Sequence, residues 1–383
     1  LNRRWLVPFG TRPEVVKLAP VVDALRASGA NVHTLATGQH HDPRLADEFF
    51  DDLSLLPDTR WELPADEFAR LAALFGRACE TLARREFDAL LLLGDTYTVP
   101  LFALAARRFG VPVVHAEAGL RSFNPQSVEE GNRRVVAALA AVHLAPTDLA
   151  ARMLDAEGVP PERVFVVGNP VTDSLRRHGP SVRPVGERDG VVLTMHRPTN
   201  VDDPDRLRAL VGLVCRLARD FGRVRFPVHP RTRDRLERAG IGHLESTPGV
   251  GLEPPLRYGE MLAAVASARV VVTDSGGLQE EAAWYGVPTV VLRTTTPRWE
   301  SVLAGTSALV GVDADRALAA VHRFWSPDEQ RRVAAVPCPY GDGHAATRIA
   351  SVLQHAATQR LLEVDEPGLD DTVVAALLPG SRS

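Results

Sequence analysis

Lysine is almost missing from this 383-residue chain: Lys17 is the one lysine among 44 basic residues. A bias that uniform reflects base composition more than chemistry, yet it singles out Lys17. Cysteine is scarce as well. Cys79, Cys215 and Cys338 are odd in number and far apart, which fits neither a disulfide framework nor a CxxC metal site, so buried free thiols are expected. No HxH or HExxH spacing occurs, and His40 and His41 sit side by side, where their rings need not converge. No metal is expected. A GxSxG elbow and a Walker-A loop are also absent. No stretch approaches the roughly 20 apolar residues that span a bilayer. The opening LNRRWLVPFG has only a short apolar run before Gly10, far less than the core of a signal peptide, and a cytoplasmic protein is expected. The net charge of −4 gives no generic electrostatic grip on nucleic acid or an anionic membrane, although a local phosphate site remains open.

What is present is the balance of a globular enzyme, 45% hydrophobic and 24% charged residues, in a chain long enough for two domains. Short apolar, β-rich runs alternate with amphipathic stretches, the signature of βαβ units and a parallel sheet. Strands are expected at Trp5–Pro8, Val32–Ala36, Ala89–Leu93, Val111–His115, Val142–Ala145 and Val164–Val167. The pattern breaks at Arg176–Gly190, a Pro-, Gly- and charge-rich stretch. It resumes with strands at Val191–Thr194, Val224–Pro227, Val270–Thr273 and Thr289–Leu292. The expected division is a first domain over residues 1–175, a linker over 176–190, a second domain over 191–362 whose last helix packs back on the first, and an acidic tail over 363–383.

In open parallel sheets ligands bind beyond the carboxyl ends of the strands, so polar residues just after each strand matter most. After the first strand, Gly10-Thr11-Arg12-Pro13-Glu14 opens a helix and suits an anion, although a plain βα turn with a surface arginine explains it equally well. In the second half, Asp274-Ser275-Gly276-Gly277 leads into a helix carrying Glu280 and Glu281. There glycines, a serine and the helix dipole favour phosphate, and a carboxylate one turn on can take ribose hydroxyls. An Asp/Ser cap with close-packing glycines explains the same residues, and the two readings coexist. Acid–base candidates are Asp95, Glu117 and the pair Glu129-Glu130. Asp95 also reads as a helix cap, and the glutamate pair as a complement to a helix dipole. Glu117 is harder to dismiss, because His-Ala-Glu-Ala-Gly puts a charge directly after a buried strand. His196 and His229 follow corresponding strands of the second half.

Taken together the motifs FGTRPEVVKLAP, TGQH, LGDTYT, HAEAGLRS, EEGNRR, VVGNPVTDSL, TMHRP, FPVHPRT, TDSGGLQEEAAWYGVPTVVLRTTT and PYGDGHAATRI closely resemble non-hydrolysing bacterial UDP-N-acetylglucosamine 2-epimerases. The resemblance runs from about residue 5 to 355. It implies an α/β fold of two Rossmann-like domains in a GT-B arrangement, with the active site in the interdomain cleft. By motif position it places catalysis on Asp95, Glu117, Glu129 and His196. Substrate and UDP contacts fall on Arg12, Lys17, Gln39, Arg133, His229, Ser275, Gly276, Gly277, Glu281 and Arg293. It implies a UDP-sugar substrate, no cofactor or metal, no nucleic acid or membrane partner, and a homodimer. The implied chemistry breaks the anomeric C–O bond, removes the C2 proton to give an enzyme-bound glycal and UDP, and re-adds them on the other face.

The sequence also departs from the family pattern. The run His196-Arg197-Pro198-Thr199-Asn200 lacks a basic and an acidic residue of the family's version, and Thr294 to Glu300 reads TTTPRWE in place of DTTERPE. The stretch Leu63-Pro64-Ala65-Asp66 differs too. Family members often bind a second sugar nucleotide as an activator near several of these positions, so little activation is expected here. A hydrolysing epimerase and a GT-B glycosyltransferase are the alternative readings.

Overall fold

The computed structural model describes residues 3–38 and 55–363. The first half is a seven-stranded sheet built from β1 (Arg4–Phe9), β2 (Asn31–Ala36), β3 (Thr59–Arg60), β4 (Ala89–Leu93), β5 (Val113–Ala116), β6 (Val142–Ala145) and β7 (Val164–Val166). Its strand order is β3-β2-β1-β4-β5-β6-β7, and every pairing is parallel. The second half is a six-stranded parallel sheet of β8 (Val191–Thr194), β9 (Val224–Pro227), β10 (Val250–Glu253), β11 (Val270–Thr273), β12 (Thr289–Val291) and β13 (Ser307–Leu309), in the order β10-β9-β8-β11-β12-β13.

The central strands read as unbroken apolar runs because helices cover both faces. All five residues of β4 are buried, as are all four of β11. The three strands that the sequence pattern does not signal, β3, β10 and β13, are all edge strands of two to four residues. An edge strand needs no continuous apolar run, so β10 (VGLE) carries no buried residue. β5 starts two residues later than expected, after Pro112, which has no N–H to give a neighbour.

Each sheet reverses its winding once, between β1 and β4 and between β8 and β11. Those are the switch points at which a crevice opens beyond the carboxyl ends of the strands. The helix Val171–His178 runs three residues into the 176–190 stretch, which otherwise holds only a single 3-10 turn at Val185–Glu187. Near the chain's end, the helix Ala345–Gln354 lays Ala346, Ile349 and Leu353 into the same core as Val15, Val22 and Leu25 of the helix Arg12–Ala27. Asp173 caps that late helix through the amides of Ala345 and Ala346. Of the acidic tail, residues 364–383 lie outside the described residues, as does Gln39.

Two histidines face each other across adjacent buried strands, His115 on β5 and His143 on β6. His115 Nε2 bonds the Gly94 carbonyl at 2.9 Å, and the Nδ1 atoms of both rings are sealed without a hydrogen bond. Burial, more than any neighbouring charge, pushes them down to about 4 and about 3. From about pH 6.5 downward the unfolded chain gains protons that the folded chain refuses, so these groups lower stability as pH falls. Urea unfolding at pH 7, 6 and 5 should show a loss shallower in His143→Leu than in the wild type, by about 1–2 kcal/mol at pH 5. Parallel pH dependence of the two proteins would remove His143 from this role.

Candidate active site

Glu117 follows β5 directly and takes a left-handed backbone, φ +58°, which swings its side chain back into the junction between the halves. Gly119 two residues on, at φ +86°, passes so close to the Ala150 carbonyl that a Cβ would meet it at 2.1 Å, which is why the motif needs glycine there. The Glu117 carboxylate is 6% exposed as a residue and tightly held. Lys17 Nζ donates to Oε1 at 2.6 Å, and Asn169 Nδ2 donates to the same oxygen at 2.8 Å. The Arg298 guanidinium lies 3.8 Å away. Burial alone would raise this carboxyl, but the charges of Lys17 and Arg298 and the two hydrogen bonds outweigh it and bring it down to about 2. Glu280, fully buried on the helix Gly276–Trp284, completes the cluster: it pairs with Lys17 at 3.0 Å and Arg298 at 2.9 Å, and accepts from Asn169 at 3.0 Å.

Asp95, just after β4, is bridged to Arg133 on the helix Val128–Leu139, and its backbone carbonyl accepts from Asn132 at 2.8 Å. Arg133 also touches Glu130 at 3.1 Å. The adjacent glutamates have different tasks. Glu130 is buried and accepts from the Ser122 amide at 2.8 Å, the Ser122 hydroxyl at 3.0 Å and the Phe123 amide at 3.2 Å, fixing the loop between Glu117 and this helix. Glu129 is half-buried and accepts from the Ser127 hydroxyl at 2.5 Å. Burial pushes its carboxyl up, but the Ser127 bond and the charges of Arg197 and Arg133 draw it below the usual range.

Across the junction, the first turns after β8 and β11 are stitched by Asp274. This fully buried carboxylate accepts from the amides of His196 and Arg197, from Asn200 Nδ2 and from His196 Nδ1 at 3.1 Å. Since a carboxylate only accepts, the His196 Nδ1 carries hydrogen and Nε2 is turned outward. The His229 ring lies 5.4 Å from that of His196, and its Nδ1 accepts from the Arg231 amide at 3.2 Å, so it caps the helix Pro230–Arg238. Burial, then His196, pushes His229 below its ordinary value.

Ser275 caps the helix Gly276–Trp284, and a Cβ on Gly277 would meet nothing within 4 Å, so the helix start opens onto free space. Beside it Arg293 has one guanidinium nitrogen sealed without a hydrogen bond. Burial, then Arg197 and Arg298, pulls it down to about 9, still charged at neutral pH. Arginines crowded around a helix N-terminus are an anion site. On the same helix Glu281 is buried and raised to about 7, by burial first and by neighbouring Glu280 second, while Lys17 and Arg12 pull the other way.

A family model described as UDP-N-acetylglucosamine 2-epimerase matches residues 23–354. The chain belongs to this family. It is 31% identical to the UDP-N-acetylglucosamine 2-epimerase of Methanocaldococcus jannaschii over 91% of this chain and 98% of that protein. It is 33% identical to the UDP-2,3-diacetamido-2,3-dideoxy-D-glucuronate 2-epimerase of Pseudomonas aeruginosa, over 91% and 98%. The crystal structure of the M. jannaschii enzyme in complex with UDP-GlcNAc and UDP matches with a TM-score of 0.82 at 30% identity, covering 91% of this chain and 99% of that one. The fold is therefore GT-B, as the resemblance implied, and this epimerase is an isomerase acting on carbohydrates.

In the epimerase Arg12, Asp95, Glu117, His196 and Ser275 stand just after β1, β4, β5, β8 and β11, and Gln39 lies outside the described residues. Lys17, expected among the substrate contacts, has its amine committed to Glu117 and Glu280. His229 stands at a helix cap beside His196. Sequence reasoning missed Glu280, Asn169 and Asp274 as site residues, although each lies inside a motif already in view, and Arg298, which lies in the TTTPRWE stretch that departs from the family pattern.

Vicinal hydroxyls that donate to Glu281 favour its ionised form, so a ligand of that kind should bind more tightly as pH rises through about 7 and level off above it. Calorimetry with UDP, whose own phosphate titration cancels between variants, should show this pH component in the wild type and not in Glu281→Gln. Parallel curves would place the hydroxyls elsewhere.

Proposed function

We propose that the epimerase interconverts UDP-GlcNAc and UDP-ManNAc, or a close analogue, by eliminating UDP to a bound glycal and adding it back. The observation that carries this reading is the opposition of charge across the junction. Carboxylates after β4 and β5 of the first half face arginines, free helix amides and a hydroxyl-ready glutamate of the second. In this proposal residues 1–175 act on the sugar and 191–362 hold the nucleotide. Arg293, His196 and the Gly276 and Gly277 amides take the diphosphate, with Ser275 beside them, and Arg12 and Glu281 take the ribose side. The C2 proton of a hexosamine is not acidic until the C1–O bond loosens, so stabilising the departing diphosphate comes first. Asp95, Glu117 and Glu129 sit in different environments and supply acid and base.

A second copy is the proposed partner. Phe68 and Phe75 on the helix Glu67–Ala83, Leu104 on Thr98–Phe109 and Val135 on Val128–Leu139 are exposed on neighbouring helices of the first half. Apolar surface of this kind marks interaction sites. Sedimentation should give a dimer, and Phe68→Asp with Phe75→Asp should shift it to monomer.

Incubation with UDP-GlcNAc in D2O, followed by proton NMR, should show deuterium at C2 and the appearance of UDP-ManNAc. Glu117→Gln should lower turnover about 10²–10⁴-fold with UDP affinity within a few-fold. Free UDP and sugar in place of the epimer would show a hydrolysing enzyme, and exchange only with a different UDP-sugar would name that sugar as substrate.

A further inference from the structure

The buried cluster around Glu117 contains two cations, Lys17 and Arg298, and two carboxylates, Glu117 and Glu280, joined by the amide of Asn169. Its formal charge is zero. Lys17 and Glu117 come from the first half and Glu280 and Arg298 from the second, so each half is neutral by itself, and the contacts of Lys17 with Glu280 and of Arg298 with Glu117 cross the junction. The Lys17 ammonium is shared: 2.6 Å to Glu117 and 3.0 Å to Glu280, with its side chain 7% exposed. Two buried carboxylates on one buried ammonium exceed what pairing Glu117 alone requires.

We propose that Lys17 is a positioning residue that sets the proton affinity of Glu117, and that Glu280 is the counter-ion which keeps Lys17 paired in both protonation states of Glu117. The inference rests on the reading of Glu117 as a proton-transfer group. When Glu117 takes the C2 proton, the C–H electron pair forms the C1–C2 double bond and the C1–O pair leaves with the diphosphate. The cluster then moves from zero to one positive charge while the departing diphosphate gains one negative charge beside it. Without Glu280 the same step would run from one to two positive charges in a buried site, which disfavours proton uptake. Without Lys17 it would run from one negative charge to zero, which raises the proton affinity of Glu117.

The other charged groups facing this pocket do not replace the pair. Asp95 is bridged to Arg133, Glu281 faces Arg12 as well as Lys17, and His115 on the same strand is held neutral by burial. The low proton affinity of Glu117 in the assembled junction agrees with two cations winning over burial.

The test is a cycle of Lys17→Met, Glu280→Gln and the double variant, each checked for folding by thermal unfolding, with kcat and KM measured from pH 5 to 9. Glu280→Gln should lower kcat about tenfold or more with KM within about twofold. In Lys17→Met the acid limb of kcat should move up into the measured range. The double variant leaves Arg298 with Glu117, again at zero charge, and should be more active at pH 7 than Lys17→Met. A structural role alone predicts that the double variant is no better than the worse single one, and that outcome, or an unmoved acid limb in Lys17→Met, overturns the proposal. If Lys17→Met does not fold, recovery of a folded, active protein in the double variant still supports it, and failure to recover overturns it. Full turnover in Glu117→Gln would instead remove the reading beneath it, so the two failures are distinct.

Discussion

The arrangement depends on keeping four charges out of water. A lone buried carboxylate or ammonium costs several kcal/mol, and only close, well-directed partners repay it. Lys17, Glu117, Glu280 and Arg298 meet that condition jointly, with Asn169 donating to one oxygen of each carboxylate. Each half supplies one cation and one carboxylate, the contacts Lys17–Glu280 and Arg298–Glu117 cross between them, and the amide that ties both carboxylates sits just after β7. The junction is thus specified by electrostatics as much as by the apolar packing of the late helix Ala345–Gln354 on Arg12–Ala27.

Most of this architecture was legible in the sequence where burial on both faces forces an apolar run. β4 and β11 could hardly read as anything else. The edge strands β3, β10 and β13 escaped because one open side removes that constraint. The same logic governs the site. Asp95, Glu117 and His196 stand out because a polar residue directly after a buried strand has few structural reasons to be there. Glu280 escaped because Glu281 beside it absorbed the argument, although neighbours on a helix point about 100° apart. Here Glu280 pairs directly with Lys17 and Arg298, while Glu281 feels the charges of Lys17 and Arg12. Asn169 carries no charge and Arg298 lies in a stretch noticed only for what it lacks, so neither offered a signal that spacing could amplify.

The two halves also divide the electrostatic work. In the first half Glu117 and Asp95 have direct cationic partners, while Arg293 of the second lies near Arg197 and Arg298 and keeps one guanidinium nitrogen without a hydrogen bond. An unneutralised cluster is a standing destabilisation, tolerable because an anionic ligand removes it. Asp274 prevents the opposite fault: by taking up the amides of His196 and Arg197 it holds those side chains in place before any ligand arrives.

Because Lys17 carries the one lysine ε-amine of the sequence and is buried between the halves, the protein has a built-in label site at its most informative point. Reductive methylation with ¹³C-formaldehyde would place a single lysine resonance at the junction, beside that of the α-amine. Its rate of appearance would report how often the halves separate far enough for a reagent to reach the amine. Tryptic mapping, by the same scarcity, would cut almost wholly at arginine, and a missed cleavage at Lys17 would read directly as a modified junction.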